Sequence, residues 1–164
     1  MPAPRPAPEL LDFDRYERGP IVAVMRRLLR DRDGWLNLAP DVDPEEVPDA
    51  SAAVGRLFTS RGPTVPLATW VPGARKRSGA VEALSIGLQH GGGPKAIRKL
   101  RDGGLAVPDG WRLLADHPRR GIVAEVPDEQ DPDVALDWLL DAATRLTPFV
   151  LPTRWHAGVF ASRA

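Results

Sequence analysis

The chain has no cysteine among its 164 residues, which excludes disulfide bonds, thiolate metal ligands and cysteine nucleophiles. Long apolar runs are also missing, so no stretch is long enough to span a membrane. The N-terminal stretch MPAPRPAPELLDF lacks the apolar segment of a secretory signal. From these absences we expect a cytoplasmic protein with no membrane association.

The formal net charge is zero, because 22 basic residues balance 22 acidic ones. The charges are nevertheless segregated along the chain: residues 31–50 and 121–150 are mainly acidic, and residues 75–120 are mainly basic. This pattern predicts a polarised surface that takes an anionic partner on its basic side. The alternative is that the segments interleave in space and neutralise one another.

The chain divides by pattern into a disordered tail (1–8), an N-terminal extension of helices and strands (9–79) and a core (80–164), which together form one compact domain. Within the extension, apolar spacing predicts a helix over 20–31 and a second helix over 50–59. Short strands are predicted at 34–40 and 64–71, and Pro66 places the latter at a sheet edge because proline has no N–H to donate.

From residue 80 the predicted order is β-α-β-β-α-β, the ferredoxin-like arrangement of the α+β class. Its strands are expected to pair in the order 4-1-3-2, with the N-terminal extension packed on the sheet. The elements are a strand at 81–89, a helix at 94–102, strands at 111–117 and 121–127, a helix at 132–146 and a last strand through RWHAGVF (154–160).

This order predicts that three polar segments share one end of the sheet: the glycine loop (His90–Lys95, including Pro94), the turn His117–Pro118–Arg119–Arg120, and Arg154–Trp155–His156. His90 and His156 are expected to be neighbours on adjacent strands. The candidate ligand-binding residues are His90, Gly91, Gly92, Gly93, Lys95, His117, Arg119, Arg120, Arg154 and His156.

The chemistry of this end predicts an anion- or phosphate-binding module. Free N–H groups at a helix start attract anions, arginine forks bind phosphate or carboxylate, and glycines allow close approach of a ligand. A plain strand-to-helix turn would explain the same three glycines. Two other functions stay open: a protein-interaction or homodimer scaffold without ligand chemistry, and a small enzyme that uses His90 and His156 as acid–base groups.

Motifs that would decide between these functions are missing. The glycine loop matches neither the phosphate loop GxxxxGK[ST] nor the dinucleotide fingerprint GxGxxG, and no GxSxG accompanies the histidines. A metal site would need about three converging ligands, which the histidine positions do not predict. The sequence therefore assigns no cofactor, no metal and no catalytic residue beyond His90 and His156 as candidates.

One face of the predicted strand 81–89 carries small side chains, including Ser85 and Gly87. We expect the N-terminal helix to cover this face, with a second subunit or a ligand as alternatives. The central predicted strands VEALSIGLQ and GIVAEV lack aromatic residues, which argues against nucleic-acid binding in the manner of an RNA-recognition motif.

Overall fold

The computed structural model describes residues 7–47 and 63–161, which form a mixed α+β structure, as predicted. The predicted helix over 50–59 lies outside these ranges. In chain order, the elements are β1 (Glu9–Asp14), α1 (Gly19–Asp31), β2 (Trp35–Pro40), β3 (Leu67–Val71), β4 (Leu84–Gln89), α2 (Ala96–Asp102), β5 (Arg112–His117), β6 (Gly121–Val126), α3 (Pro132–Leu146) and β7 (Arg154–Phe160), with one 3₁₀ turn at Pro44–Glu46.

All seven strands belong to one antiparallel sheet in the order β1-β7-β2-β3-β4-β6-β5. The ferredoxin-like order is not confirmed, because β2 and β3 lie between β7 and β4, which were expected to be neighbours. The N-terminal region thus supplies strands to the sheet. The boundary predicted near residue 79 falls between β3 and β4, which are paired with each other.

The helices cover one face of this sheet. Alternate residues of each central strand point into a single apolar core, in which Trp70 and Trp155 are fully buried. Helix α1 contributes its apolar stripe to the same core and contacts α3. The expectation that α1 covers the small-residue face of β4 is therefore wrong, since that face is opposite the helix layer.

Local chemistry explains the helices that the sequence predicted well. In α1, Ile21, Met25 and Leu28 form one buried stripe, and proline occupies the first turn. In α3, Asp131 accepts a hydrogen bond from the N–H of Asp133 and so caps the first turn. Both helices are confirmed within one residue.

Three other expectations need correction. Strand β1 was not predicted at all, and β3 lies in the middle of the sheet although Pro66 suggested an edge. Pro66 precedes the strand, so its missing N–H costs no ladder hydrogen bond. Helix α2 begins at Ala96, two residues later than predicted, because Lys95 adopts a left-handed conformation with φ 59°.

Candidate functional site

The three predicted polar segments do lie at one end of the sheet. Register pairs place Gln89 at the end of β4 beside the start of β3, and the His117 end of β5 beside the start of β6. Pro40 at the end of β2 pairs with Trp155 near the start of β7. The strand ends are therefore gathered as the sequence predicted.

The segments nevertheless do not converge on one site. His156 on β7 and His90 after β4 are three strand spacings apart, or about 14 Å. They also belong to opposite faces, since His90 is buried beneath the helices and His156 is half-exposed on the face opposite the helices. The expectation that these two histidines are neighbours is wrong, and Trp155 between Arg154 and His156 belongs to the core.

His90 is the one buried polar side chain among the residues described. Its Nδ1 accepts a hydrogen bond from the N–H of Gly92 at 3.1 Å, so the ring proton of the neutral form resides on Nε2, which has no partner. Burial lowers the pKa of His90, Asp116 opposes this effect, and the charge of Lys99 adds to it. The imidazole is therefore neutral at physiological pH.

The start of α2 already has an anion from the protein itself. The carboxylate of Asp116 on β5 accepts hydrogen bonds from the N–H groups of Ala96 at 3.2 Å and Ile97 at 3.1 Å. These are the donors that the sequence offered to a phosphate. A carboxylate from twenty residues away thus satisfies the helix start, and Lys95 next to it has no ion pair in the described part of the chain.

This cap leads to a first prediction. Asp116→Ala should destabilise the protein by about 1–2 kcal/mol, because two N–H groups of α2 lose their acceptor. Asp102→Ala, at the other end of the same helix, removes only an exposed ion pair with Arg98 and should cost at most about 0.5 kcal/mol. Urea unfolding of both variants measures the difference in unfolding free energy. Equal losses of stability in the two variants would contradict the capping role of Asp116.

Packing requires two of the three loop glycines. A Cβ at Gly91 would lie 2.9 Å from the carbonyl oxygen of Pro63, and one at Gly92 would lie 3.0 Å from Leu146. Gly93 has a positive φ of 74°. The loop is therefore a tight connection pressed against its neighbours, as the plain-turn alternative expects.

The β5–β6 turn is organised by its own histidine. His117 Nδ1 accepts hydrogen bonds from the N–H groups of Arg119 at 3.1 Å and Arg120 at 3.3 Å. The two guanidinium groups are exposed, and neither has a carboxylate partner within the described ranges. They lie at the sheet end, two strands from β4.

A cleft between α2 and the last turn of α3 combines Gly92, a predicted site residue, with residues that the sequence did not single out. Its volume is about 340 Å³, and its lining consists of Gly92, Lys99, Leu100, Gly103, Arg145 and Leu146. Lys99 Nζ donates to the carbonyl oxygen of Gly92 at 2.5 Å, and Arg145 donates to that of Gly103 at 2.6 Å. The lining contains two cations and no carboxylate.

A larger groove of about 740 Å³ lies between the starts of α1 and α3. Its cations are neutralised: Arg18 forms ion pairs with Asp133 at 2.8 Å and Asp137 at 2.6 Å, and Arg26 forms one with Asp131 at 2.8 Å. This groove therefore has carboxylates in its lining, which the α2–α3 cleft lacks.

His156 belongs to a charged cluster on the sheet face opposite the helices. Its Nδ1 lies 2.6 Å from Asp12 on β1, and its Nε2 lies 2.9 Å from Asp41, which follows β2. Arg154 lies 3.6 Å from Asp12 and 3.9 Å from Asp41. The hydrogen bond with Asp12 is the main cause that raises the pKa of His156, and it lowers the pKa of Asp12.

Because carboxylates occupy both ring nitrogens, His156 has no free nitrogen for acid–base chemistry. Its two acidic partners were missed because they lie far away in sequence. No group of three or more histidine, aspartate or glutamate side chains is placed to hold a metal in the described ranges. In the same ranges, no helix is both long and apolar enough to cross a bilayer.

Two further cleft residues, Lys99 and Arg145, were also missed as site residues. The only signal in the sequence that could have indicated the cleft was the glycines near these residues, because glycines have no side chain and leave space.

Comparison of the chain with protein-family models, with curated proteins and with solved structures finds no match.

Proposed function

We propose that the protein is a binding module for a small anionic ligand, which it takes in the cleft between α2 and α3. The observation that carries this proposal is the lining of the cleft, in which Lys99 and Arg145 face the same space with no carboxylate among the lining residues. This is the class of function predicted from the sequence, assigned to a different set of residues.

The two cations are partly free to bind a ligand. Lys99 makes one hydrogen bond, to Gly92, and an ammonium group has three donors. Arg145 donates to Gly103 and lies 3.5 Å from Asp141 on its own helix, which leaves further N–H donors of its five. Phosphate and carboxylate groups match this pair, since guanidinium binds them as a fork and ammonium as a point charge.

The size of the cleft restricts the ligand. A volume of about 340 Å³ is at the lower end of the range for small-molecule sites. Leu100 and Leu146 supply apolar walls next to the two charges. We therefore propose a ligand with one phosphate or carboxylate group on a small organic body.

Of the residues predicted from the sequence, Gly92 lines this cleft and His90 lies directly behind it, with Nδ1 3.2 Å from the position of a Cβ on Gly92. Lys95, Arg119, Arg120, Arg154 and His156 do not line it. The proposal thus keeps the glycine loop as one wall and replaces the predicted cations by Lys99 and Arg145.

Thermal denaturation with inorganic phosphate tests the proposal. At a phosphate concentration ten times its Kd, the free energy of unfolding should rise by about 1.4 kcal/mol. This corresponds to a rise of about 4 °C in Tm for a chain of this size. The gain should saturate and exceed that of sodium chloride at equal ionic strength. The double variant Lys99→Met, Arg145→Met should lose the gain.

The matched control is Arg119→Met with Arg120→Met, which removes the same charge from the β5–β6 turn. It should keep the phosphate effect. Loss of the effect in this control, and not in the cleft variant, would place the anion site at the turn that the sequence suggested. A wild-type protein without a saturable shift would contradict anion binding at either place.

A further inference from the structure

The cluster around His156 connects three parts of the sheet. One ring nitrogen contacts Asp12 on β1 and the other contacts Asp41, which follows β2, while the ring itself belongs to β7. A neutral imidazole has one N–H and one lone pair, so it can donate to only one of two carboxylates. With both carboxylates ionised, the two close contacts fit only the protonated ring.

Strand β1 lies at one edge of the sheet, and β7 is its one ladder partner among the described residues. Asp12 and His156 are directly opposite each other in this ladder. At one end of β1, the hydroxyl of Thr153 donates a hydrogen bond to the carboxylate of Asp14 at 2.6 Å. Near the other end, Leu10 is exposed.

We propose that His156 is a proton-dependent latch that holds the edge strand β1 on the sheet. In the protonated state, the ring donates to Asp12 and Asp41 together. When the ring loses its proton, one nitrogen presents a lone pair to a carboxylate, and that contact becomes repulsive. Strand β1 then keeps its ladder with β7 but opens more often.

The surroundings of His156 favour this behaviour. Asp12 faces it from β1, Asp41 from the chain after β2, and Arg154 from its own strand. Its register partner on β2, Ala39, is uncharged. The guanidinium group of Arg154 retains part of the attraction to both carboxylates, so the latch loosens β1 without releasing it.

The direction of the pH effect follows from linkage. The pKa of His156 is raised above its ordinary value of 6.5, so its contribution to stability is complete below pH 6.5 and is lost as pH rises through the folded-state pKa. The pKa of Asp12 is lowered below 3.8, so its contribution is lost only as pH falls below that value. The latch therefore opens on the alkaline side of pH 6.5.

Hydrogen exchange of backbone amides, corrected for intrinsic rates, tests the latch between pH 6.0 and 8.5. Exchange in 9–14 is compared with exchange in 112–117, which forms the other edge strand. Protection of β1 relative to β5 should fall roughly two- to fivefold over this range, the effect of one exposed charge pair. His156→Gln removes the titrating group and should abolish the pH dependence.

Two further variants complete the test. Asp41→Asn offers an amide that can accept from Nε2–H or donate to a bare Nε2, so β1 should stay protected with little pH dependence. His117→Gln alters the reference strand, where the ring bonds only backbone N–H groups in the described structure, so in this variant the exchange of residues 9–14 taken alone should keep its wild-type pH dependence. The latch would be overturned by a ratio of β1 to β5 protection that stays constant with pH in the wild type, which is an equal loss of protection in β5. Loss of the pH dependence in His117→Gln would overturn it as well.

Discussion

Replacing Gly121 by alanine is expected to cost about 4 kcal/mol or more, which is a large fraction of the roughly 5–15 kcal/mol by which a domain of this kind is stable. Gly121 begins β6 with a positive φ of 78°, and an added Cβ would overlap the carbonyl oxygen of Leu88 on β4. Leu88 cannot move aside, because β4 is hydrogen-bonded between β3 and β6. The clash would be relieved only by opening the ladder at the end of the sheet where the glycine loop begins.

Gly104 provides the matched control for this experiment. Its φ is also positive, at 91°, but a Cβ there would have no neighbour within 4 Å. Gly104→Ala should therefore show the conformational strain alone, about 1–2 kcal/mol. Urea denaturation of the two variants separates the cost of backbone strain from the cost of the steric overlap. Equal losses of unfolding free energy in the two variants would contradict the close approach of β6 to β4.

Stability is expected to fall as the pH decreases below 6.5, with His90 contributing a slope of up to about 1.4 kcal/mol per pH unit. Burial lowers the pKa of His90 below its ordinary value of 6.5. Between these two pKa values the unfolded chain binds a proton that the folded protein excludes, so acid favours unfolding. The effect has the opposite direction to that of His156, whose contribution is lost as the pH rises.

His90→Asn isolates this contribution. The amide oxygen of asparagine can accept the hydrogen bond from the Gly92 N–H in place of Nδ1, and asparagine does not titrate in this range. The difference in unfolding free energy between wild type and variant should shrink as the pH is lowered from 7.5 to 5. A pH-independent difference for His90→Asn would contradict the buried, neutral histidine.

Local signals in the sequence were sufficient for α1, α3 and β7. The buried stripe of α1, the capping Asp131 and the alternation in RWHAGVF each act within a few residues, so the pattern contains the physical cause. Strand β1 was missed because ELLDFD has three acids in six residues and its alternation is interrupted. It is held by pairing with β7, about 145 residues away, and such pairing leaves no mark in its own sequence.

The expectation that His90 and His156 are neighbours was wrong for a similar reason. That three polar segments share one sheet end followed from strand directions alone, which the sequence contained. The insertion of β2 and β3 between β7 and β4 depends on long-range ladders, and it separates His156 from His90. The occupation of the α2 start by Asp116 could not be predicted either, because the carboxylate arrives from a different strand.

The central place of β7 among the N-terminal strands has a consequence for synthesis on the ribosome. Within the described residues strand β1 pairs only with β7, and β2 has β7 on one side, so residues 9–14 cannot form their ladder until residues 154–160 have left the exit tunnel. Until then β1 has no ladder partner and β2 exposes one edge, the condition in which chains aggregate or bind chaperones. The completed sheet consequently forms after translation of β7, and its slowest step joins segments from the two ends of the sequence.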